Sequence, residues 1–478
     1  MSTVAHPPQP VNPIRRPARA PCRLQRQRIS PVAPICNPSD SDTWNAEVVR
    51  LLPTDINLQA RSLKAFCRER KIARPTDLLR GLCLWLLNGS VPSFRNGAIT
   101  SACAGIGDLS IPAWQKRAHQ AIPWLAWVAR TMLTIPPSAI HPQGYGRVLA
   151  LDATCLGNTR IHHAFLRLHT AYDLRTGQID QLHITDERTG EGVAHFTLQE
   201  HDIIIADNGY GYRRTVAYVD AQRAFLVIRV RPTHFPLEYE DGSRMDILAE
   251  LRKDGPSIRV FAGWTTVKAN RSVKSPKTRY AVRMIARKLT DKEAAKARKR
   301  ICTNSKQDHN QVQPETLEIA GWVVVVTTLP EVDWDAAEVL RLYRARWQIE
   351  LLFKQMKTIL QMRTIPGRTL ATKRAACLVA LIIWAIQIRQ MAGIQAQLRK
   401  GPTGQWVVSE WAVVMVGIDL IRHQARGAWG YQRLEECLPQ LRRLFLHGVR
   451  TDRGSQRTDM QAWLAEKCGI GGRIMPSP

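Results

Sequence analysis

Apolar positions recur along this chain with two different periods, and the change of period divides it. From about Trp44 to Ile140 the spacing is helical: Leu78, Leu79, Leu82, Trp85 and Leu86 fall three and four apart. Within that region, Ala98 to His119 reads as helix, glycine turn (Gly105-Ile106-Gly107-Asp108) and second helix, through Trp114-Gln115-Lys116-Arg117. This is the outline of a helix-turn-helix, and equally of any two helices packed around a glycine turn. The pattern then becomes that of strands. Arg147 to Thr154 is an apolar run with an aspartate inside it, and Phe165 to Leu174 and Gln178 to Thr185 alternate, with Arg175-Thr176-Gly177 as a hairpin-like link. Asp202 to Ala206 and Phe225 to Val230 are two further short strands. Three neighbouring strands, a helical crossover and more strands predict a mixed sheet with helices packed on it, an α/β (mixed) fold.

The remainder follows the same logic. Between about Arg231 and Pro330, strand candidates at Thr278–Ile285 and Trp322–Thr328 surround a basic stretch, Arg287 to Lys306, and the piece reads as an insertion into the sheet domain. A helix is expected from Ala336 to about Leu360, capped by Asp333 or Asp335. Beyond Gly393 come further helical segments carrying Trp406, Trp411, Trp429 and Trp463. The resulting partition is an arm at 1–40, a helical region at 41–140, and a sheet domain at 141–231 and 331–395. A β-rich insertion at 232–330 interrupts the sheet domain, and a helical region at 396–478 ends the chain. The arm is rich in proline and arginine with a single acid, Asp40, and cannot bury enough apolar surface to offset its ordering entropy. It is expected to be a disordered basic arm.

Composition adds a partner. Lys and Arg number 68 against 40 Asp and Glu in 478 residues, a net charge of +28, which favours a polyanion and above all nucleic acid. The basic residues run through the whole chain, so no membrane-surface helix is indicated. The most apolar stretch, Cys377 to Ile388, is shorter than the ~20 residues that cross a bilayer, and the first residues show no apolar signal region. A cytoplasmic location is expected. The ten cysteines form neither CxxC pairs nor zinc-like clusters with histidine, so structural zinc is not expected.

Three carboxylates carry the candidate chemistry. Asp152 lies inside a strand between Leu149, Ala150, Leu151 and Ala153, where it loses hydration unless a partner or metal compensates, or else faces solvent at a strand edge. Asp207 ends a second strand before Asn208-Gly209-Tyr210, either as a functional group or as a turn-forming aspartate. On the long helix, Leu342, Ala345, Ile349, Leu352, Phe353, Met356 and Leu360 make an apolar face. Tyr343, Arg346, Glu350 and Lys357 share the opposite side with Trp347 and Lys354, so Glu350 stands among cations. Arg346, Glu350 and Lys354 alone would also make an ordinary i,i+4 salt-bridge ladder. Cutting a phosphodiester needs a nucleophile, neutralised charge and a stabilised leaving oxygen. Two Mg²⁺ ions about 3.5–4 Å apart supply all three on two or three carboxylates, while nearby Lys and Arg hold phosphates.

These residues resemble a family. The run YRARWQIELLFKQMK places Tyr343, Arg346, Glu350 and Lys357 at the spacing of the glutamate signature of DDE transposases of the bacterial insertion-sequence-four family. LALDAT and ADNGY resemble the blocks that hold that family's two catalytic aspartates, and GWVVVVTTLP its approach to the glutamate helix. The resemblance is firm from about Arg147 to Gln361 and weaker at both ends. It implies a ribonuclease-H-like core, Asp152, Asp207 and Glu350 as catalytic metal ligands, and two Mg²⁺ ions for which Mn²⁺ can substitute. Tyr343, Arg346, Lys354 and Lys357 are then DNA contacts. Trp322, at the family's interval before the glutamate, would stack on a flipped base during release through a DNA hairpin, unless it simply packs under the sheet. The implied activity is cut-and-paste DNA transposition on double-stranded terminal inverted repeats and target DNA, by a homodimer. Two alternatives are a non-catalytic DNA-binding repressor derived from a transposase and a stand-alone nuclease.

Overall fold

The computed structural model describes residues 44–87, 92–134, 144–156, 166–186, 188–268, 276–307, 311–359, 362, 365–367, 369–399, 407–408, 410–427, 446–447 and 454–468. The basic arm at 1–40 lies outside the described residues.

The helical region expected from Trp44 contains α1 (Ile56–Ser62), α2 (Pro75–Leu87), α3 (Phe94–Cys103), α4 (Ile111–Gln120) and α5 (Ile122–Leu133). Helix α2 is buried on nearly every face, as an almost uniformly apolar helix must be. Ser93 caps α3 by accepting from the Asn96 N–H at 3.1 Å. The turn from α3 to α4 needs its glycines: Gly105 has φ +68°, and a Cβ on Gly107 would lie 2.3 Å from the Lys71 carbonyl oxygen.

The sheet domain follows as β1 (Val148–Leu156), β2 (Leu166–Asp173), β3 (Gln178–Asp186), β4 (Ile203–Ala206), α6 (Arg213–Ala221) and β5 (Phe225–Arg229). Next come β6 (Leu237–Glu238), β7 (Arg244–Met245), α7 (Ile247–Arg252), β8 (Ile258–Lys268), β9 (Lys277–Lys288), α8 (Asp291–Gln307), α9 (Pro314–Ile319) and β10 (Trp322–Thr327). These ten strands form one mixed sheet in the order β3-β2-β1-β4-β5-β10-β9-β8-β6-β7. β1 to β3 form an antiparallel meander, β4 and β5 run parallel to β1, and β10 pairs antiparallel with β5. This is a ribonuclease-H-like arrangement. The strand at Trp322, assigned from sequence to the insertion, lies inside the sheet, and β8 and β9 prolong the sheet beyond it.

Alternation along β1 and β4 sorts the two faces. Val148, Ala150, Ile203 and Ile205 join the core that runs into the helical region, while Leu149, Leu151, Ile204 and Ala206 pack with Val216 and Val219 of α6. At the start of β1, buried Arg147 binds Asp202 (Nη2–Oδ2 2.6 Å, Nε–Oδ1 3.1 Å) and Asp180 (2.9 Å), tying β1, β3 and β4 together.

The helix expected as one run from Ala336 is two, α10 (Ala336–Arg344) and α11 (Trp347–Ile359). Asp335 and Glu338 form a capping box at its start. Between the two, hydrogen bonds tighten to i→i+3: Ala345 N–H to Leu342 O at 3.0 Å, and Arg346 N–H to Tyr343 O at 3.1 Å. The apolar face is kept through the break, with Leu342, Ala345, Ile349, Leu352, Phe353 and Met356 all buried. Helices α12 (Leu370–Arg399), α13 (Glu410–Arg426) and α14 (Gly454–Lys467) follow. The segment Leu370–Ala392 of α12 has the length and apolarity of a membrane-crossing helix, longer than the apolar stretch read from sequence, yet 83% of its apolar 18-residue window is buried inside the protein. It packs against α5, α13 and α2 as a core helix.

Candidate active site

Asp152 and Asp207 stand side by side because of strand register. β1 and β4 are parallel with Leu151 opposite Ala206, so the next step sets the two aspartates on adjacent strands, about 5 Å apart in the backbone. Alternation turns Asp152 to the face that α11 covers. Asp207 closes a short turn, its Oδ1 accepting from the Gly209 N–H at 2.8 Å, so it is a turn former as well as a neighbour of Asp152.

The Asp152 side chain is 15% exposed and accepts from the Ala153 N–H at 2.7 Å and from Arg346 Nη1 at 3.4 Å. Burial pushes its carboxyl up to about 7, and the charge of Asp207 adds to the effect. Arg346 and the Ala153 N–H oppose that shift without cancelling it. The pair of carboxylates is therefore short of positive charge even with a guanidinium beside it.

Arg346 sits in the tight turn between α10 and α11, and binds Asp152 on one side and Glu350, one helical turn on, on the other. Its guanidinium also lies 5.9 Å from the Tyr343 ring centroid. The i,i+4 ladder read from sequence is thus half the picture, since the same arginine reaches across to β1. Burial first of all raises the Tyr343 hydroxyl, while the charges of Arg346 and Arg229 act to lower it. Glu350 is 55% exposed and reaches the aspartates through Arg346. Among the described residues, no three His, Cys, Asp or Glu side chains close around one point as metal ligands do. Further along α11, Lys354 is exposed and Lys357 half-buried.

Trp322 is not among these groups. It starts β10 at the same end of the sheet, two strands from Asp207, but its ring is 7% exposed and packs beside Val324 and Val326 in the core on the α6 face. The Arg259 guanidinium lies 5.1 Å from the ring centroid. Stacking on a base would require this packing to open.

The site also holds residues that the sequence did not single out. Arg229, at the end of β5, acts on Tyr343. Glu191 sits close to Asp207, and burial together with the Asp207 charge raises its carboxyl. Tyr210, inside the quoted ADNGY block, is buried, and the charges of Asp152, Glu191 and Asp207 act on its hydroxyl. Only that block gave a hint of Tyr210, and nothing in the spacing around Glu191 marks it.

A ribonuclease-H-like sheet with paired strand aspartates, a helical glutamate and attendant cations defines an enzyme of phosphodiester chemistry. Comparison with known proteins narrows the class. Residues 144–386 match the Transposase DDE domain family. Over 332 residues the chain is 30% identical to the transposase for insertion sequence element IS421 of Escherichia coli, covering 68% of this chain and 88% of that one. It is 20% identical over 390 residues to the transposase for insertion sequence element IS231C of Bacillus thuringiensis subsp. berliner, covering 73% and 80%. The chain belongs to the DDE transposases of bacterial insertion sequences, enzymes that cleave and transfer DNA strands. Its partner is DNA, and its reaction depends on a divalent metal. The donor set fits such an ion: hard carboxylate oxygens, with Asp152 held where its ionised form lacks compensation.

Proposed function

We propose that the chain binds the terminal inverted repeats of its own element and carries out cut-and-paste transposition, with Asp152, Asp207 and Glu350 as ligands of two Mg²⁺ ions that Mn²⁺ can replace. The observation that carries the reading is the pairing of Asp152 with Asp207 across parallel strands, with Arg346 joining Asp152 to Glu350. When bound, the cations supply the positive charge that activates a nucleophile and stabilises the leaving oxygen. The chain's own residues do the rest. Arg346, Lys354 and Lys357 on the α11 side hold phosphates, and Tyr343 backs Arg346 and orients it. The first attack, by water, frees a 3′-hydroxyl at the element end, and that hydroxyl then attacks the opposite strand or the target. If the opposite strand is attacked, Trp322 is the candidate to stack on the displaced base, exchanging Arg259 for it. The α3-turn-α4 pair is the candidate reader of the repeats, the β8–β9 hairpin and the C-terminal helices grip DNA, and two copies assemble on paired ends in the bacterial cytoplasm.

The test is single replacement of Asp152, Asp207 and Glu350 by Ala, assayed on labelled end DNA with Mg²⁺. Each should lose strand cleavage while end binding stays within a few-fold, because affinity comes mainly from phosphate contacts. A variant that cuts at near wild-type rate removes that residue from the ligand set. Wild-type protein that binds ends and never cuts would support the repressor reading, and nicks that never join a target would support the nuclease reading.

A further inference from the structure

Asp207 has a second acidic neighbour, brought in from the opposite face to Glu350. The loop from β3 to β4 is pinned along its length. Asp186 Oδ1 accepts from the Arg188 and Thr189 N–H groups at 3.1 and 3.2 Å and from the Thr189 hydroxyl at 2.9 Å. The His195 Nε2 contacts the Gly190 carbonyl at 2.9 Å, and Tyr218 donates to the Phe196 carbonyl at 2.9 Å. Val193, Phe196 and Leu198 sink into the core on the α6 face. The loop thereby sets Glu191 directly over Gly209. A Cβ at Gly209 would lie 2.3 Å from Glu191 Oε2 and 3.0 Å from Asp207 Oδ1, so the two carboxylate oxygens are no further apart than those distances together. Only a glycine leaves room for that approach.

Tyr210 follows Gly209 and is buried in the core on the α6 face. It is 1% exposed, and among the described residues its hydroxyl has no hydrogen-bond partner. The carboxylates that act on that hydroxyl are Asp152, Glu191 and Asp207, with Arg167 as the cation nearby. A buried hydroxyl left unpaired costs about 1–3 kcal/mol, so an unpartnered donor that feels the charge of three carboxylates points to a ligand shell that completes it. We propose that Glu191 is a fourth carboxylate of the active site, sharing a divalent cation with Asp207, and that the Tyr210 hydroxyl bonds to the water shell of that cation. Glu191 and Glu350 then bracket the aspartate pair from the two faces of the sheet. The inference rests on the reading of Asp207 as a metal ligand.

The experiment is an Mn²⁺ titration of the full chain, freed of metal by chelation, with unbound Mn²⁺ followed by electron paramagnetic resonance. Wild type is compared with Glu191→Gln, Glu191→Asp, Tyr210→Phe and Asp207→Asn, and melting in chelator is recorded for each. Glu191→Gln should weaken Mn²⁺ binding about tenfold or more, with an unchanged or higher melting midpoint, since it removes a charge repelled by Asp207. Glu191→Asp should recover part of the affinity, and Tyr210→Phe should lose several-fold without loss of stability. Wild-type affinity in Glu191→Gln alongside weakened binding in Asp207→Asn would reduce Glu191 to a loop acid and overturn the proposal. A lower melting midpoint with unchanged affinity would do the same. Wild-type affinity in Asp207→Asn would instead sink the metal-ligand reading of Asp207, and this proposal with it.

Discussion

Replacing Asp152 by Asn should make the metal-free protein more stable while abolishing its chemistry. In the folded chain burial holds the Asp152 carboxyl at about 7, against 3.8 for an ordinary aspartate. Unfolding therefore releases a proton anywhere between those values, so stability falls as pH rises from about 4 to about 7 and is flat above. The difference of roughly three units corresponds to about 4 kcal/mol, and water entry with movement of Arg346 reduces it to about 2–4 kcal/mol. Asn mimics the protonated form, so above pH 7 the variant should gain that amount, and below pH 4 nothing. The assay is urea denaturation in chelator at pH 4 and pH 8. Added Mn²⁺ should then stabilise wild type and do so much less in the variant, because an ion that binds only the folded state adds to stability. A variant less stable than wild type at pH 8 in chelator would show that the pairing of Asp152 with Arg346 outweighs burial, and the electrostatic account of the site would fail.

Three further changes probe other parts of the molecule. Lys357→Ala should reduce cleavage and lower the slope of log affinity against log salt by about one phosphate contact; a change in melting alone would make it a structural residue. Trp322→Ala should cost about 3–5 kcal/mol of stability because the ring is buried, whereas Trp322→Phe should fold normally. An alanine variant with wild-type melting that nicks end DNA but forms no hairpins would instead show the ring at work on a base. Asp202→Ala leaves buried Arg147 with only Asp180 and the Thr197 carbonyl as partners and should cost about 3–5 kcal/mol in denaturant melts. A loss under 1 kcal/mol there would mean that the cluster is well hydrated.

Much of the site was legible because its pieces are local. An aspartate inside an apolar run and a helix with two chemically distinct faces are visible in any stretch of a few residues. The side-by-side placement of Asp152 and Asp207 was not, since it depends on the register Leu151 to Ala206 between strands separated by two others in sequence. The break between α10 and α11 was also hidden. No glycine or proline marks it, and the apolar face continues across it. β8 escaped because Gly263, Thr265 and Thr266 dilute its apolar character, and its pairing with β9 and β6 provides the order that its own sequence lacks. Glu191 lies between Gly190 and Gly192 in a loop without periodicity, so only the folded position of Gly209 reveals it.

The unbroken sheet has an angular consequence for the DNA. Neighbouring strands rotate by about 20–25° relative to one another, always in the same sense. From β4, which delivers Asp207, the path to β8 crosses β5, β10 and β9. At that average the four steps would accumulate roughly 80–100°, setting the long hairpin steeply across the catalytic strands. A straight duplex aligned with one crosses the other. If both ends of this sheet touch DNA, the contacts would fall on two different stretches of duplex, or on one that turns a corner at the carboxylates.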